Sequence, residues 1–205
     1  MEIRLAHMEI TSGVNGPGRR LTLWVQGCPR RCSGCFNPAM IPPDGGEAVP
    51  VEVLAARALD LGSWDGITLS GGEPFAQAAG LAELLDLVGE RRGAPGGVIA
   101  FTGYTVEELR RGSPGQAALL GRVDLLVDGP FRADLPTDRP LRGSGNQRLV
   151  PLTPRGADLA RRVEAQPHRS FLVSISPDGQ VILSGFPPAG LALALAARLG
   201  GAAGG

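Results

Sequence analysis

The stretch "GCPRRCSGC", Gly27 to Cys35, holds Cys28, Cys32 and Cys35, the only 3 cysteines in a chain of 205 residues. It follows "RRLTLWVQ" at 19–26, an apolar run that reads as a β-strand leading straight into the thiols. A disulfide framework would leave an odd cysteine. A closed structural zinc site takes four ligands, and neither His7 nor His168 lies at ligand spacing. A thioredoxin-like "CSGC" pair leaves Cys28 unexplained. A [4Fe-4S] cluster usually takes four cysteines. With three, one iron stays open, as a catalytic metal keeps an open position where a structural one does not. Three thiolates on one tight loop can reach three corners of a small cube, and Pro29, Ser33 and Gly34 suit such a loop. Arg30 and Arg31 either add positive charge beside an anionic cluster or simply face solvent.

Around this loop the composition is ordinary for a globular protein, 43% hydrophobic and 20% charged, and the length suits one domain with or without a small appendage. Basic and acidic side chains balance at 20 each, with no basic tail or acidic run to point to nucleic acid or a membrane surface. Lys is absent, which reads as codon or growth-temperature bias. "MEIRLAHMEI" has no apolar core of a secretory signal, and "GLALALAARLGGAAGG" is too short to span a bilayer and holds Arg198. The expectation is a cytoplasmic protein with no nucleic-acid or membrane partner. Clustered thiols in a reducing compartment favour metal or redox chemistry.

Residues 1–150 read as alternating strands and helices. Val51, Leu54, Ala55, Ala58 and Leu59 keep helical spacing, predicting a helix over about 50–62. "GITLSGGEP" is a strand closing in a glycine loop, and Leu81, Leu84, Leu85 and Val88 give a helix ended by Gly93. "GVIAFTG" and "VDLLVDG" are strands with the short helix "TVEELRR" between them, and 129–147 is a long loop. Residues 151–205 form a C-terminal extension: the helix "TPRGADLARRVEA", a β-hairpin turning at Pro177-Asp178-Gly179, and a last helix from near Ala189. The fold class expected is α/β with a mostly parallel sheet. Four strands end in glycine loops, "VQGC", "LSGGEP", "FTGY" and "LVDGPF". Ligands of parallel α/β proteins bind at the carboxyl ends of strands, so these loops are expected to share one site.

C-x3-C-x2-C after a strand resembles the radical S-adenosylmethionine (SAM) superfamily. "VNGPG", "GCPRRCSGCFNP", "LSGGEP", "FTGYTVEEL", "DLLVDGPF" and "RGSGNQR", in that order, resemble the glycyl-radical activases of anaerobic ribonucleotide reductase. Gly34, where the wider superfamily often has an aromatic residue, agrees with that subgroup. The resemblance covers about 1–150. It implies a shortened, open (β/α) barrel, a [4Fe-4S] cluster held by Cys28, Cys32 and Cys35, and SAM bound at the open iron. An electron from the cluster would then cleave SAM to a 5′-deoxyadenosyl radical, which abstracts a hydrogen from a glycine of a large glycyl radical enzyme. A low-potential donor such as flavodoxin or ferredoxin would supply the electron. By position, Gly34, Cys35 and Phe36 match the turn that contacts SAM, and Gly71 and Gly72 the loop that binds its amino group.

Other assignments stay open. Glu73 either accepts from the SAM ammonium or caps the following helix. Asn37 caps the turn after the cluster or touches SAM. Thr102 and Asp128 end strands on the site face, and Asp128 binds SAM or sits in a turn or ion pair. The extension either covers a sheet edge or docks a different partner. Two other functions compete: a radical SAM reaction on another protein, peptide or small molecule, and a non-catalytic Fe–S or zinc module.

Overall fold

The computed structural model describes residues 1–92, 96–166, 171–175 and 181–187, and beyond these 190, 191, 194, 195 and 198. In chain order the elements are β1 (Glu2–Ser12), β2 (Arg19–Val25), β3 (Glu47–Pro50), α1 (Val51–Asp60), β4 (Gly66–Gly71), α2 (Ala78–Arg92) and β5 (Val98–Phe101). Then come α3 (Val106–Arg110), α4 (Pro114–Leu120), β6 (Leu125–Asp128), β7 (Arg148–Pro151), α5 (Pro154–Glu164), β8 (Phe171–Ile175) and β9 (Val181–Gly185). Pro38–Met40 and Pro74–Gln77 are single 3-10 turns.

Seven strands form one open sheet in the order β3-β1-β2-β4-β5-β6-β7. The centre, β2-β4-β5-β6, is parallel. The flanks are antiparallel: β1 pairs with β2 and β3, and β7 with β6. The expected α/β class holds, with parallel pairing confined to the centre. The expected helix at 50–62 is α1, and 129–147 contains no strand or helix. Gly93, the hairpin turn and most of the expected last helix lie outside the described residues.

Strand alternation sorts the two faces. Leu21, Leu23, Val25, Leu69 and Leu126 face α1, α2 and α4 in the larger core. Ile99, Leu125 and Val127 face the other way, onto α5 through Leu159 and Val163. Central strands buried on both faces explain the unbroken apolar runs. The second face is also polar. Arg20 is 1% exposed, and its guanidinium donates to the Thr68 hydroxyl (2.6 Å) and to the carbonyls of Gly97 (2.8 Å) and Ile67. Burial lowers its pKa to about 10.

Four elements had no expectation attached: β1, β3, α4 and β7. β1 hides its period because a bulge between Leu5 and His7 shifts the register. Ile3 and Leu5 keep one phase, whereas Met8 and Ile10 pack on the same core from the other phase.

At the start of α5 the chain has no room for a side chain. The Thr153 hydroxyl accepts from the Gly156 amide at 3.0 Å, and a Cβ on Gly156 would lie 1.7 Å from the Asp124 carbonyl oxygen. Alanine gains about 1 kcal/mol of helix propensity over glycine, but this clash is with backbone and cannot relax by a rotamer change. Gly156→Ala is expected to lose about 1–2 kcal/mol net, seen as a Tm lower by roughly 3–8 °C. An unchanged Tm in a thermal melt would contradict this seating of α5.

Candidate active site

The parallel strands end on one side of the sheet, and there the four glycine loops meet. One cavity is lined by Cys28, Cys32 and Cys35, by Gly71, Gly72 and Glu73, by Thr102 and Gly103, and by Gly129 and Phe131. Gly34 is exposed beside it, while Phe36 and Asn37 line it.

The cysteine loop closes on its own backbone. The amides of Gly27 and Cys28 donate to the carbonyls of Met40 (2.9 Å) and Ile41 (3.0 Å). The Gln26 side chain donates to the Ala39 and Pro42 carbonyls at 2.9 and 2.7 Å. Between Cys32 and Cys35 a tight turn forms, with the Cys35 amide on the Cys32 carbonyl (3.2 Å) and Gly34 at φ +70°, where a side chain would be strained. The Asn37 amide donates to Cys35 Sγ at 3.4 Å. Burial pushes the Cys35 thiol up, against that amide, with Cys28 and Cys32 adding to the rise.

All three cysteines are free and half-buried. Among the described residues no trio of His, Cys, Asp or Glu gathers tightly enough for a single metal ion.

Gly71 and Gly72 are glycine for a reason the sequence does not reveal. A Cβ on Gly71 would lie 2.4 Å from the Val25 amide nitrogen, and one on Gly72 would lie 2.3 Å from the Gly27 carbonyl oxygen. At Gly71 the space is filled by the end of β2, and at Gly72 by the cysteine loop itself. The amides of Gly72 and Glu73 donate to the carbonyls of Val25 (2.7 Å) and Gly27 (3.0 Å). Both amides are thereby satisfied within the protein.

Glu73 is 1% exposed and caps the 3-10 turn Pro74–Gln77. Its carboxylate accepts from the Phe75 amide (2.9 Å), the Thr102 hydroxyl (2.8 Å) and the Gly103 amide (2.8 Å). The cap is what the structure records, extended into a tie between two loops. Burial raises its pKa, opposed by those three donors and by the charge of Arg30. Arg30 is not free in solvent: it lies 4.6 Å over the Tyr104 ring and donates to the Gly103 carbonyl at 2.5 Å. Asn37 occupies the N-cap position of Pro38–Met40 without a side-chain cap bond.

Asp128 sits apart from the other strand-end residues. It is fully buried, does not line the cavity, and accepts from the Val106 amide (2.8 Å) and the Arg148 side chain (2.9 Å). Its carboxylate joins β7 to α3, which is the ion pair that the sequence left open as one of its alternatives. Sequence reasoning missed Trp24 and Ser70 of the cavity wall. Alternation with the core residues Leu23 and Leu69 would have placed both on the second face.

Residues 14–150 match a family model described as a 4Fe-4S single cluster domain, which fixes the class as an iron–sulfur protein. Proteins named anaerobic ribonucleoside-triphosphate reductase-activating protein are similar to it. That of Enterobacteria phage T4 is 34% identical over 140 residues, covering 66% of this chain and 86% of its own length. That of Vibrio cholerae is 38% identical over 143 residues (65% and 88%), and that of Escherichia coli 36% over 141 (65% and 89%). Among solved structures, QueE from Escherichia coli aligns with a TM-score of 0.41 at 17% identity, over 65% of this chain and 74% of its own. The chain belongs to the family of anaerobic ribonucleoside-triphosphate reductase-activating proteins and carries the 4Fe-4S single cluster domain.

Glu73→Gln turns an amide NH2 toward at least one of the three donors in either orientation. In the cofactor-free chain it is expected to cost about 1–3 kcal/mol in denaturant titrations at neutral pH. The pH dependence also changes. With the folded pKa above the ordinary 4.5, the unfolded carboxyl ionises first, so wild-type stability falls as pH rises from 4.5 through the raised value. That contribution disappears in the glutamine variant. Identical slopes for the two proteins would contradict the assignment.

Proposed function

We propose that this chain is a radical SAM glycyl-radical-activating enzyme acting on anaerobic ribonucleoside-triphosphate reductase. The [4Fe-4S] cluster is held by Cys28, Cys32 and Cys35, and SAM lies in the adjoining cavity. The observation that carries the reading is that the three thiols and the Gly71–Gly72 loop line one cavity at the carboxyl ends of the parallel strands. Cluster and SAM, when bound, supply reductive SAM cleavage and abstraction of a glycine hydrogen.

The chain supplies position and environment. The self-closed cysteine loop holds its thiols on one side of the cavity. Thr102 and Asn37 are the polar groups proposed to meet SAM, and Gly34, Cys35 and Phe36 the turn against it. Glu73 acts by holding the Thr102–Gly103 backbone, and Asp128 has no part in the site. Ser33, Gly34 and Phe36 are exposed, which leaves the loop open to a low-potential donor such as flavodoxin or ferredoxin. Among the described residues, no helix is long and apolar enough to cross a membrane.

A second reading, a radical SAM reaction on another protein, peptide or small molecule, is favoured by one feature. Leu183, Gly185 and Phe186, beyond the matched residues 14–150, also line the cavity.

Anaerobic reconstitution is expected to load about four iron per chain and give reductant-dependent release of 5′-deoxyadenosine. Cys28→Ala, Cys32→Ala and Cys35→Ala should each abolish that release. With an anaerobic ribonucleoside-triphosphate reductase present, electron paramagnetic resonance should show a glycyl doublet. SAM cleavage without the doublet would favour the second reading, and a colourless protein that leaves SAM intact would sink both.

A further inference from the structure

Beyond the matched family core, β8 and β9 form an antiparallel hairpin with its own two-stranded sheet. Opposed residues of an antiparallel pair share a face, so Leu172, Ser174, Ile182 and Ser184 lie on one side. That side is fastened to β1. The Ser174 hydroxyl donates to Glu9 Oε2 at 3.1 Å, and the Ser184 hydroxyl, in a residue 2% exposed, donates to Glu9 Oε1. One carboxylate thus anchors both strands of the hairpin to the main sheet.

The other side carries Phe171, Val173, Ile175 and Leu183. Leu183, with Gly185 and Phe186 after it, lines the cavity that holds the three cysteines. Phe186 meets Phe36, the residue after Cys35, edge-on with ring centroids 5.6 Å apart, and Phe36 packs on Phe131 at 4.8 Å. The rings come from the hairpin, the cysteine loop and the loop after β6. From Leu183 the apolar face continues outward: Phe171, Val173 and Ile175 are 41%, 42% and 68% exposed.

We propose that the hairpin is a wall of the active-site cavity, and that Leu183 and Phe186 are positioning residues for an uncharged, extended, glycine-bearing segment of a partner polypeptide. The proposal rests on the activase reading above. The wall's chemistry selects the occupant. Leu183, Phe186, Phe36 and Phe131 offer no charge to a phosphate or carboxylate. An extended backbone with small side chains can lie along an apolar wall, and the exposed Phe171–Val173–Ile175 stripe gives its flanking residues surface to bury.

The test uses the full chain and an anaerobic ribonucleoside-triphosphate reductase as probe. Phe186→Ala is expected to raise the apparent KM for the reductase about tenfold, as loss of an aromatic anchor does, with a much smaller change in the maximal rate of glycyl-radical formation. Phe186→Tyr should restore KM. Independently of cofactor, Ser174→Ala with Ser184→Ala should speed amide exchange at Val181–Gly185 about tenfold while leaving Leu125–Asp128 unchanged. Hairpin amides that exchange at unprotected rates in the unsubstituted chain overturn the wall. If that chain releases 5′-deoxyadenosine and forms the glycyl radical but Phe186→Ala leaves KM unchanged, the positioning role alone falls. If it releases none, the activase reading falls and takes the positioning role with it.

Discussion

The site depends on one close approach: the carbonyl of Gly27 against the α-carbon of Gly72. There the loop leaving β2 and the loop leaving β4 touch backbone to backbone, and two amide-to-carbonyl bonds lock them. No side chain larger than hydrogen fits between them. The cysteine loop therefore inherits the rigidity of two central strands of the sheet, although it contains no regular structure beyond a single turn. Glu73, one residue on, extends the lock to the β5 loop through Thr102 and Gly103. Arg30 returns from the cysteine loop to the same Gly103 and closes the circuit.

Such a circuit places buried polar groups where an apolar core would be simpler. Each is satisfied within hydrogen-bonding distance, which keeps the cost of burial low. The same economy runs below the cavity. Among the described residues no carboxylate is bonded to the Arg20 guanidinium, which directs its donors to a hydroxyl and two main-chain carbonyls. The sheet is accordingly two-sided: a helix-covered apolar face that supplies most of the packing, and a face whose hydrogen bonds and aromatic rings shape the cavity.

Much of this could be read from local pattern. A strand running into three cysteines and four strand-end glycine loops located the site, because both are short-range features. Helical spacing located α1 and α2. β1 escaped because its bulge breaks the alternation midway, and β7 because Arg148–Pro151 has neither length nor pattern. Gly72 was legible as a glycine that had to be one, but its partner, forty-five positions away at Gly27, was not. Asp128 shows the same limit. A strand-end acid reads equally as ligand or ion pair until Arg148 is placed beside it. The hairpin could be read as a hairpin, whereas its seat on Glu9 depends on contacts 165 and 175 residues apart in sequence.

That separation orders events during synthesis. Every residue of the cysteine loop, the glycine loop and the parallel strands precedes residue 129, so this part of the chain can emerge from a ribosome and collapse before β8 and β9 exist. Closing Glu9 onto Ser174 and Ser184 then spans nearly the whole chain. Its entropic cost grows only logarithmically with loop length. The cavity of the emerging chain therefore lacks the side that Leu183, Gly185 and Phe186 supply in the finished protein.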